Sequence, residues 1–124
     1  MEIDALHYYL RKDDTKQPFA CVAISKNEDG TVNRGISICS KDEPFKRGKA
    51  RDKALGRLAK AVEKKEDSLP LRRMEIPESL SWYFYSVGKI VGATENGKKM
   101  LQFKSIFSDV PTTMEKRMLE KPAS

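Results

Sequence analysis

The sequence predicts an α+β domain: an antiparallel sheet of about five strands, in the order β-β-β-α-β-β, with one central amphipathic helix packed on it. Three observations lead there. Short apolar or aromatic runs occupy residues 5–10, 19–25, 31–40, 81–94 and 98–107. Two of the gaps between them carry hairpin-type turn residues, Asn27-Glu28-Asp29-Gly30 and Glu95-Asn96-Gly97. Between the two groups of strands, residues 40–65 show helical periodicity.

Taken in order, ALHYYL at 5–10 is aromatic enough for a pleated surface. His7 and Tyr9 share one face there, and Leu6, Tyr8 and Leu10 the other. FACVAIS at 19–25 is apolar on both faces, which predicts a central strand. In the third strand Val32, Arg34, Ile36 and Ile38 share one face and Asn33, Gly35, Ser37 and Cys39 the other. These three strands are expected to form a meander.

Ser40 and Asp42 offer helix-capping oxygens, and Pro44 suits a first turn. Gly48 marks an alternative helix start, with 41–47 as a basic loop. Ala50, Ala54, Leu58, Ala61 and Val62 recur as one helical face, predicted to be buried. Gly56 is the expected point of close approach to the sheet, and Pro70 the stop. Residues 71–79 read as a polar connector. The run 81–94 reads as a strand, with a short helix before Gly88 as the alternative, and 98–107 as its hairpin partner. One domain is expected over 1–110, with 111–124 as a tail or a short helix.

The chain has 124 residues, 39% of them hydrophobic and 34% charged, with a net charge of +6. That balance favours anionic partners and excludes a membrane span, since no apolar run approaches the roughly 20 residues needed. The opening residues do not resemble a secretory signal, so the expected location is the cytoplasm. Cys21 and Cys39 lie in apolar strands without metal-ligand spacing, and reduced structural thiols are expected. A disulfide across paired strands is the alternative.

No enzyme motif stands out. His7 is the sole histidine and has no local partner for activation. No His, Cys and carboxylate set shows metal spacing, and no cofactor is expected. Asp42 and Glu43 are the acids a small metal-dependent nuclease would use, which is the weakest of the readings.

The basic stripe carries the functional expectation. Lys46, Lys49, Lys53, Arg57, Lys60 and Lys64 recur at three-or-four spacing. Lys46, Arg47, Lys49, Arg51, Lys53, Arg57 and Lys60 form the expected phosphate-contacting set, and Arg34 is placed to add charge from the strand before it. Lys53 and Arg57 are both expected to project away from the core. In the aromatic cluster at 82–85, Tyr83 and Tyr85 are candidates for stacking on bases, with core packing as the competing use.

The segment RGISICSKDEPFKRGKARDKALGRLAKAV, residues 34–62, resembles segments of small bacteriophage-encoded accessory proteins. G-I-S-I-C-S, the acidic turn, Phe-Lys-Arg-Gly and G-R-L-A-K-A carry the resemblance. It implies a phage accessory protein that acts in the host cytoplasm. The leading expectation is a non-enzymatic module that binds nucleic acid. The alternative is an anti-defence protein that binds a host defence protein or sequesters a nucleotide signal.

Overall fold

The computed structural model describes residues 5–11, 16–38, 44–69, 74–75, 93–95, 98–101 and 108–120. Strands β1 (Leu6–Arg11), β2 (Pro18–Lys26) and β3 (Val32–Ile38) form one antiparallel sheet in the order β1-β2-β3. This is the expected meander. β2 is central and buried from Phe19 through Ser25, as its unbroken apolar run requires.

The β2–β3 turn is held by its own side chains. Gly30 takes φ +90°, which an L side chain rarely adopts. The Thr31 hydroxyl and N–H both donate to Asp29 Oδ1, at 2.5 and 2.9 Å. These bonds, the hydroxyl's first, hold the Asp29 carboxyl below its ordinary range.

Helix α1 (Arg47–Lys64) lies on the sheet face formed by Tyr9, Cys21, Ala23, Gly35 and Ser37. Ala54, Leu58 and Ala61 are buried beneath it, as their spacing predicts. The helix starts at Arg47, one residue ahead of Gly48, with Lys46 in the N-cap position; residues 44–46 are non-helical, and 41–43 of the expected loop lie outside the described residues. It stops well before Pro70. Lys65 adopts the left-handed conformation at φ 58°, its N–H reaching Val62 O at 3.1 Å, and the Glu66 N–H reaches Ala61 O at 2.9 Å. This pair of bonds closes a helix without needing proline.

Close approach is achieved from the strand side. A Cβ built at Gly35 would overlap the Ala54 carbonyl oxygen and the Leu58 backbone nitrogen, with Leu58 Cα at 2.9 Å. Gly56, expected to play this part, faces solvent with open space where a Cβ would stand.

The opposite sheet face carries the larger apolar side chains, Leu10, Val22, Ile24, Val32 and Ile36, together with Arg34. Residues 108–120, including helix α2 (Thr113–Glu120), fasten to it. The expectation for Arg34 is overturned. It is wholly buried and pairs with the equally buried Glu115. Its Nε donates to Glu115 Oε2 at 3.0 Å and its Nη2 to Val110 O at 2.9 Å, while Nη1 donates to Ser108 O. Tyr8 adds a hydroxyl donated to Glu115 Oε2 at 2.6 Å. Thr112 and Glu115 also cap α2 reciprocally: the Thr112 N–H donates to Glu115 Oε1 at 2.8 Å, and the Glu115 N–H to Thr112 Oγ1 at 3.2 Å.

The outer edge of β3 is covered rather than left open. Its Val32 N–H donates to Asp109 O at 2.8 Å and its Arg34 N–H to Asp67 O at 2.9 Å. Its Ile36 carbonyl accepts from Arg57 Nη1 at 2.5 Å.

The single five-stranded sheet is not what the described strands form. Three shorter ones, β4 (Met74–Glu75), β5 (Ala93–Glu95) and β6 (Lys98–Leu101), make a second antiparallel sheet in the order β4-β6-β5. β5 and β6 pair with Glu95 opposite Lys98, the register that the Asn96-Gly97 dipeptide predicts. β4 falls in the stretch expected to be a plain connector.

Cys21 is a buried free thiol under α1. Burial pushes its pKa up to about 11, with the Arg51 charge acting weakly the other way. The native thiol therefore holds about a hundredfold less thiolate than an ordinary one. Alkylation of the native protein at pH 8, read by peptide mass mapping, should leave Cys21 unmodified while the denatured chain is labelled. Rapid native labelling would place it at the surface. Cys39 lies outside the described residues.

Candidate anion-binding cleft

The end of β3 and the start of α1 enclose a cleft of about 150 Å³. Ser37 and Ile38 form its strand wall, and Pro44 and Phe45 lead the chain into the helix. Lys46, Lys49, Ala50 and Lys53 form its helix wall. The sheet register and the helix spacing build it together. Ser37 sits in the row Tyr9–Cys21–Ser37, beneath the first turns of α1. Its hydroxyl donates to Ala50 O at 2.7 Å and so locks strand to helix at the floor.

Lys46, Lys49 and Lys53 are exposed and follow one another along a single flank of the helix. Among the described residues, none of the three forms an ion pair with a carboxylate. The first turn of α1 carries no acidic residue, and Lys46 supplies no side-chain cap. Lys46 and Lys49, with Arg47 between them, therefore crowd the positive end of the helix dipole, an arrangement that costs the isolated helix stability and that a bound anion relieves.

Tyr9 braces the aromatic wall. Its ring meets Phe45 edge-on with centroids 5.9 Å apart, and His7 likewise at 5.6 Å. The Arg47 guanidinium stands over the Tyr9 ring, 5.7 Å from its centroid, and the Tyr9 hydroxyl donates to Arg47 O at 3.2 Å.

The seven expected contacts thus divide. Lys46, Lys49 and Lys53 meet in the cleft. Lys60 is exposed further along the same flank. Arg47 and Arg51 do not share that flank, since residues two apart on a helix point to different sides. Arg47 is spent on Tyr9, and Arg51 reaches only Asp52, at 3.4 Å on the surface. Arg57 corrects the expectation more sharply. It is half-buried, its head caps Ile36 O, and burial lowers its pKa from the ordinary value. It holds the sheet edge and does not project away from the core. Tyr83 and Tyr85 lie outside the described residues, as do Asp42 and Glu43.

Sequence reasoning missed Phe45, Ser37 and Ile38 as parts of the site. The signal for Phe45 was present: it is the one apolar side chain between Pro44 and Lys49 in a basic segment. Among the described residues, no group of three or more His, Cys, Asp or Glu is placed to hold a metal ion, and no helix is long and apolar enough to cross a membrane. No protein-family model, curated protein or solved structure matches the chain.

Proposed function

We propose that this chain is a non-enzymatic basic binding module whose ligand is anionic, with nucleic acid foremost. One observation carries the reading: Lys46, Lys49 and Lys53 converge on one cleft without a carboxylate partner among the described residues. Ammonium groups so placed hold phosphate oxygens as point charges, and they give affinity with little sequence readout. The concave form of the site favours a second reading, sequestration of a free nucleotide. The resemblance of residues 34–62 to segments of phage accessory proteins is what suggests an anti-defence setting for either one.

The test is a salt titration of oligonucleotide binding by fluorescence anisotropy. Affinity should fall steeply with salt as condensed counterions are released. Lys49→Glu with Lys53→Glu should weaken binding at least about tenfold and make the salt slope shallower by about one unit per lost contact. Both side chains are exposed, so the fold should survive. Arg57 is unsuitable for this test because its loss would uncap Ile36 O. An unchanged affinity and slope in the folded double variant would remove the cleft from consideration.

A further inference from the structure

We infer that the cleft selects an unpaired strand over a duplex, taking one nucleotide with its phosphate among the lysines and its base against Phe45. This rests on the anion-binding reading above and names the form of its ligand. The geometry separates two kinds of wall. Lys46 and Lys53 are seven residues apart on the helix, about 10 Å along its axis, so the cationic wall follows a short length of backbone. Phe45 closes the same cleft with an apolar ring, braced from behind by Tyr9. Lysines alone would serve any polyanion. An aromatic ring beside them adds something only for a ligand that has a π-face to offer next to its phosphate.

A duplex cannot use that wall. Its bases are stacked and paired inside, and it presents phosphates on a convex surface. Only the lysine rim would engage it. An unpaired strand can turn a base off its backbone into a concave site and keep the adjoining phosphate at the rim. Ala50 extends the apolar surface on which the base edge would rest, and Ser37 places a hydroxyl oxygen at its floor. Among the described residues of this lining none reads one base by a matched donor and acceptor pattern, so the selection is for strandedness and tolerates sequence.

The experiment compares an oligothymidylate of about ten nucleotides with a duplex of equal length, by anisotropy on the whole chain at one salt concentration. The single strand should bind the native protein at least about tenfold more tightly. Phe45→Leu should weaken strand binding by roughly tenfold and leave duplex binding unchanged, since stacking is lost while apolar volume is kept. Phe45→Trp should restore strand binding, a rescue that a merely structural Phe45 would not show. Thermal unfolding of each variant checks the fold. Should Phe45→Leu not fold, the strand-to-duplex ratio and the Phe45→Trp variant decide. Thymidine monophosphate, added as competitor, should displace the strand only weakly. Competition as strong as that of unlabelled strand would assign the site to a free nucleotide and overturn the strand assignment. Equal affinity for strand and duplex, with Phe45→Leu indistinguishable from the native protein, would overturn the inference while leaving the lysine cleft intact. Failure of both polymers to bind would overturn the nucleic-acid reading as well.

Discussion

Glu115→Ala is expected to destabilise the native state by about 3–5 kcal/mol at neutral pH, because it leaves the Arg34 charge buried and unpaired. The loss should be visible as a lower midpoint in urea at an unchanged slope. Four bonds converge on this carboxylate, from Arg34 Nε and Nη2, the Tyr8 hydroxyl and the Thr112 N–H. Replacing both partners should not restore full stability. Ser108 O and Val110 O would lose their donor along with the Arg34 head. Burial by itself would raise the Glu115 pKa, but the Arg34 bond and charge, with the Thr112 and Tyr8 bonds, together hold it below the ordinary 4.5. A carboxylate with a lowered native pKa stabilises the fold above its unfolded pKa. Its contribution is lost as pH falls through the native value. Acid titration should therefore weaken the native protein progressively below about pH 4.5. Glu115→Gln should flatten that part of the profile. A cost under about 1 kcal/mol for Glu115→Ala, the range of an exposed pair, would put this ion pair at the surface.

Gly35→Ala should cost about 3 kcal/mol or more, at or beyond the upper end for overpacking, because the new methyl meets helix backbone on the Ala54 and Leu58 side. Backbone cannot rotate aside as a flexible side chain can. Gly56→Ala is the control. Open space surrounds its Cβ position, and removing a mid-helix glycine should stabilise by about 0.5–1 kcal/mol. Opposite signs for two Gly→Ala changes, both read by thermal unfolding, would locate the contact between sheet and helix. Equal and small effects would mean that α1 stands further from β3.

The contrast between these glycines shows where sequence pattern runs out. Alternation, the apolar run at 19–25 and Asp29-Gly30 were enough for the meander, because strand period and turn chemistry are local. The buried face of α1 was legible for the same reason. Close approach is a tertiary fact, and it fell on Gly35 in a strand rather than on the more conspicuous helix glycine. Arg34 read as surface charge since its partner lies 81 residues away, with no local signal linking them. Arg57 belonged to the basic stripe by spacing, yet a long side chain can leave its flank and cap a strand carbonyl. The division into two sheets was hidden too, because β4 has only two residues and no strand-like run. Of the cleft, the lysine wall was visible as a helical stripe. The wall of Ser37 and Ile38 was not, since it depends on where β3 ends beneath α1.

The most direct measurement is an amide chemical-shift titration of the labelled whole chain with a short oligothymidylate. The largest changes should fall on Ser37, Ile38, Phe45, Lys46, Lys49 and Lys53, all around the cleft. The Arg34–Glu115 face, on the far side of the sheet, should stay still. Shifts centred on α2, or a saturating titration that leaves the start of α1 unmoved, would contradict it.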